Sequence, residues 1–84
     1  MMTLKQKLTS IANHDLNNAR KRGETAITDT KKGLVFLQFN HTSEEWAILD
    51  NQGKIYLQHH RKDIMASYLV EQVYNWLLVA KTNE

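Results

Sequence analysis

The sequence predicts an α+β fold, with an N-terminal helix, an antiparallel sheet of three to four strands and a C-terminal helix (α-β-β-β-(β)-α). Three observations carry this. Residues 3–22 repeat their apolar positions at helical spacing behind a capping signal. Short runs rich in β-branched and aromatic residues, separated by glycine-containing turns, fill the middle of the chain. A broad apolar arc then runs along residues 61–81.

Thr3 followed by Gln6 is a capping-box pattern, in which a hydroxyl and a side-chain amide satisfy the free N–H groups of a first helical turn. Behind it, Leu4, Leu8, Ile11, Ala12, Leu16 and Ala19 fall on one face. Arg20, Lys21 and Arg22 suit the negative end of the helix dipole, and Gly23 is a natural stop. Asp15 interrupts the apolar stripe. Two readings stand: a solvated position at the rim of the stripe, or a buried acid tied to a donor elsewhere in the fold.

Residues 24–30 are threonine-rich with one isoleucine and fit a short strand. Leu34 to Asn40 is the strongest strand signal, and Trp46 to Leu49 a second. Asp50 to Gly53 reads as a hairpin turn with Gly53 in the left-handed position, and Ile55 to His59 as the returning strand. In the central strand Val35, Leu37 and Phe39 share one face while Leu34 and Phe36 lie on the other. Either the two helices cover opposite faces of the sheet, or they share one face and a partner covers the rest.

The last helix is expected over 61–81. Met65, Ala66, Leu69, Val70, Val73, Trp76, Leu77 and Ala80 form its core arc. Ile64, Tyr68, Tyr74, Leu78 and Val79 flank the polar strip of Ser67, Glu71, Gln72 and Asn75, which is more apolar surface than one small sheet face would cover. Tyr68, Tyr74, Trp76 and Leu78 are accordingly the expected protein-interface residues, because buried aromatics dominate such surfaces.

The 84 residues suffice for one domain, and a domain of this size buries a small share of its surface. Cysteine and proline are absent and there are three glycines. This excludes the disulfide scaffold, thiol catalysis, thiolate metal sites and long linkers. The early residues are too polar for a signal peptide and the run 64–80 too polar for a membrane span, so a cytoplasmic protein without membrane contact is expected. His59 and His60 are adjacent on a strand and should point to opposite faces, while His14 and His41 lie in other segments. The scattered glycines form no phosphate loop, and no serine stands in a nucleophile elbow. The sequence therefore predicts no enzyme, no metal and no cofactor.

Charge is unevenly placed. Residues 1–33 hold seven Lys or Arg against three Asp or Glu, whereas residues 34–84 hold four against six. The strand order brings Arg20, Lys21 and Arg22 to the same end of the sheet as the 41–45 connection and as His60, Arg61 and Lys62, where Glu44, Glu45 and Asp63 blunt the field. Lys31, Lys32 and Lys54 fall at the other end. Two functional expectations follow. The first is a small non-enzymatic regulator or inhibitor, of the kind phages and mobile elements encode, that binds a protein and can pair with a second copy of itself. The alternative is a nucleic-acid-binding domain that uses the basic end.

Overall fold

The computed structural model describes residues 2–75. The element order is α1 (Leu4–Arg22), β1 (Glu24–Ile27), β2 (Val35–Asn40), β3 (Glu45–Asp50), β4 (Ile55–His59) and α2 (Lys62–Tyr68). A π-helical turn, Leu69–Val73, continues α2. The α+β class and the α-β-β-β-β-α order agree with the sequence expectation, and residues 24–27 do form a strand.

The cap of α1 forms as its residues require. The Thr3 hydroxyl accepts from the Gln6 N–H, and the Gln6 side chain accepts from the Thr3 N–H at 2.8 Å. At the other end Gly23 takes φ 88° and donates its N–H to the Ala19 carbonyl at 2.7 Å. That conformation costs a residue with a Cβ more than glycine. The Gly23 carbonyl then accepts from the Phe39 N–H at 3.0 Å, which ties the end of the helix to β2.

The sheet is an antiparallel meander in the order β1-β2-β3-β4. Its register places Ile27, Val35, Leu37, Phe39, Trp46 and Ile48 on one face. These pack with Leu8, Ala12, Leu16 and Ala19 of α1 and with Met65, Ala66, Leu69, Val70 and Val73 in one buried cluster. Both helical segments thus lie on the same side of the sheet. Of the two arrangements the sequence allowed, the structure takes the one that leaves a sheet face open.

A bulge shapes β4. Ile48 pairs with Leu57 but Leu49 pairs with Ile55, so Tyr56 is the extra residue. Tyr56 and Leu57 both pack against the core, while Ile55 stays on the open face.

The C-terminal helix departs from expectation. It was expected to run to Lys81, but the helical path ends at Val73, and Tyr74 is extended at φ −65°, ψ 146°. The Tyr74 N–H reaches the Leu69 carbonyl at 2.9 Å, a bond five residues back, which widens the last turn. The wide turn buries Leu69, Val70 and Val73 and keeps Glu71 and Gln72 in solvent. Val73 and Tyr74 are also held from outside the helix. The Lys31 N–H donates to the Val73 carbonyl at 2.9 Å, and Tyr74 bridges to Thr30 as an isolated antiparallel pair. Residues 76–81 of the expected helix lie outside the described residues.

Candidate interaction surfaces

The open sheet face is the first candidate. Opposed residues on neighbouring strands share a face, and the register lines up Ala26, Phe36, Leu49 and Ile55 across all four strands. Among the described residues no helix lies over this apolar row. Ile55 is 50% exposed and Leu34, just before β2, is 40% exposed, whereas Phe36 and Leu49 are half-buried by their neighbours. An antiparallel sheet with one solvated face normally carries polar residues there.

A polar row runs beside the apolar one. Gln38 donates to Glu24 at 2.6 Å and Gln58 donates to Glu45 at 3.2 Å, so both carboxylates meet neutral amides, and among the described residues neither pairs with a cation. None of the four strands contains a Lys or Arg. The charge on this face is acidic.

The second candidate lies along α1. A groove of about 590 Å³ follows the C-terminal half of α1, lined by His14, Asn17, Asn18, Arg20, Lys21 and His41. Its floor is rigid. The Trp46 indole N–H donates to the Leu16 carbonyl at 3.0 Å, and the Trp46 and Phe39 rings meet edge to face at 4.9 Å. His41 sets its ring edgewise to Phe39 at 5.0 Å, and the Arg20 guanidinium lies over Phe39 at 5.6 Å. Lys62 reaches across from α2 and donates to Asn17 Oδ1 at 2.7 Å.

Of the six basic-end residues, Arg20 and Lys21 line the groove, and Lys62 meets its edge through Asn17. Arg22 is exposed and does not line the groove. Arg61 is spent on Asp63, with contacts of 3.1 and 2.8 Å, and this hydrogen bond holds the Asp63 carboxyl below its ordinary pKa. His59 and His60 do not diverge as strand neighbours should. His60 has left the strand, and the two rings stack at 4.7 Å and 17°. His59 Nδ1 also accepts the Arg61 N–H at 2.9 Å, which turns the chain into α2.

The sequence did not single out Asn17, Asn18, His14 or His41 as groove residues. The signal was present for the first three, since residues 14, 17, 18 and 21 share one helical face. The position of His41 depends on the fold of the β2–β3 loop.

The expected protein-interface residues fare differently. Tyr74 is not on an exposed helical flank: it is 4% exposed and turned into the core. Its hydroxyl donates to Asp15 Oδ2 at 2.8 Å, which identifies the donor for the acid in the stripe of α1. Burial pushes the Asp15 carboxyl above its ordinary pKa, against the opposing effects of the Tyr74 bond and the nearby His14. Tyr68 is half-buried against the core beside Leu57 and Ile64. Trp76 and Leu78 lie outside the described residues.

Among the described residues no three His, Asp or Glu side chains are grouped to hold a metal ion, and no helix is long and apolar enough to cross a membrane. No protein-family model matches the chain, and no curated protein or solved structure matches it either.

Proposed function

We propose that this chain is a non-enzymatic interaction module that binds a protein partner through its open sheet face. The observation that carries this reading is the apolar row Ala26–Phe36–Leu49–Ile55, continuous across four strands and uncovered among the described residues. Contiguous exposed apolar surface on a small domain marks a contact site more often than isolated exposed residues do. Charge defines the partner. With Glu24 and Glu45 on the face and no cation on any strand, the complementary surface is an apolar stripe flanked by Lys or Arg. Occupying a partner's surface in this way is how a small regulator or inhibitor acts without chemistry of its own.

The test places a photo-crosslinking residue at Ile55 in the full-length chain inside cells that produce it. A discrete adduct is expected, and Phe36→Glu should abolish it. An adduct of twice the chain mass would make a second copy the occupant. No adduct, or one indifferent to Phe36→Glu, would sink the reading.

A further inference from the structure

The groove along α1 has a different chemistry from the sheet face, and nothing in the proposed protein contact uses it. All six lining side chains can donate hydrogen bonds and none is a carboxylate. Asn17 gives its carbonyl oxygen to Lys62 and so offers only its N–H groups to anything else. Lys62, from another element, brings a third cation to the edge of the groove at Asn17. The described ion pairs are Lys5–Glu71 and Arg61–Asp63, and neither involves Arg20, Lys21 or Lys62. Of the carboxylates near this end, Asp15 accepts from Tyr74, Asp63 pairs with Arg61 and Glu45 accepts from Gln58, while Glu44 is exposed in the β2–β3 loop.

Preorganisation separates this groove from a merely solvated basic surface. A long cationic side chain normally loses rotamer freedom when it binds. Here Arg20 already rests on Phe39, and Phe39 is fixed by Trp46 and His41. A guanidinium presents its fork of donors to a phosphate in a bidentate way. From residue 14 to residue 21 the helix rises about 10 Å, over which one strand of a duplex presents about three phosphates. The cations available are likewise three.

We infer that the α1 groove binds the phosphate backbone of a nucleic acid, independently of base sequence, through Arg20, Lys21 and Lys62 with Asn17 and Asn18 as neutral donors. The contacts fall on phosphates, so the site positions a strand and does not read it.

Fluorescence anisotropy with a labelled mixed-sequence oligonucleotide, single-stranded and duplex, tests this on the full-length chain between 50 and 200 mM salt. Three phosphate contacts predict a slope of log K against log salt of about −2 for a single strand and about −3 for a duplex. Arg20→Glu with Lys21→Glu should weaken binding at least tenfold. Lys62→Gln, a milder change on the other helix, should weaken it two- to threefold and guards against a misfolded double variant. Lys7→Glu with Lys54→Glu makes the same charge change outside the groove and should leave affinity within threefold. The inference is overturned if both charge reversals weaken binding equally, if no binding occurs at 50 mM salt, or if polyglutamate competes as well as unlabelled oligonucleotide.

Discussion

The contact between Asp15 and Tyr74 joins the middle of α1 to the residue that ends the helical path. A half-buried carboxylate is costly unless hydrogen-bonded, and the phenol is its donor. Tyr74→Phe removes that donor and should cost about 1–3 kcal/mol in urea unfolding. The two groups also set a pH dependence. The folded pKa of Asp15 is raised, so the native chain holds that proton more tightly than the unfolded chain. Its contribution is fully present below the unfolded carboxyl value and is lost as pH rises through the folded one. Tyr74 is raised in the same direction, first by burial and then by the Asp15 charge. Above the ordinary phenol value of about 10 the unfolded Tyr74 ionises while the folded one does not, so stability falls as pH rises. The melting temperature, followed by circular dichroism between pH 8 and 11, should therefore fall more steeply for the native chain than for Tyr74→Phe. Equal slopes would show that the buried phenol is not the linked group.

At the level of elements, the β2–β3 hairpin carries a local strain. Asn40 Oδ1 accepts from the Thr42 and Ser43 N–H groups, and the Glu44 N–H closes the loop on the Asn40 carbonyl at 2.7 Å. That closure puts Glu44 at φ 57°, a left-handed conformation that costs a non-glycine residue about 1 kcal/mol. Glu44→Gly should therefore stabilise the domain by up to about 1 kcal/mol at unchanged m-value, the entropy of a more flexible unfolded chain offsetting part of the gain. Loss of stability would place the strain elsewhere. The sequence made some elements plain and hid others, for physical reasons. Thr3, Gln6 and Gly23 act through neighbours within a turn, so both ends of α1 are local events and legible. The strands announce themselves by composition. The end of α2 does not, because Tyr74 leaves the helix for contacts to Thr30 and Asp15, distant in sequence. Periodicity alone extends the apolar arc past that point. The open face was half legible: Leu34 and Phe36 signalled a second apolar face, but the choice between covered and open depended on where both helices packed.

Across the whole molecule, sheet and helices divide the charge between them. Every Lys and Arg among the described residues lies in a helix, a loop or a turn, and the sheet keeps its acids. The open face is apolar and acidic, while the α1 groove is polar and basic. The two surfaces approach one another at His41, which lines the groove and also a pocket with Glu24, Gln38, Glu45, Leu49 and Ile55. At physiological salt the Debye length is about 8 Å, so solvent-exposed charges farther apart than this act on one another weakly. Independence should follow. Phe36→Glu should leave oligonucleotide affinity within about twofold, and Arg20→Glu with Lys21→Glu should leave the Ile55 adduct undiminished. Changes on separate, uncoupled sites add to within about 0.5 kcal/mol. The chain carrying all three substitutions should accordingly lose both activities by the amounts seen separately, read by the same anisotropy and crosslinking measurements. A coupling larger than tenfold would mean that one occupant spans both surfaces, and the two would then have to be treated as one site.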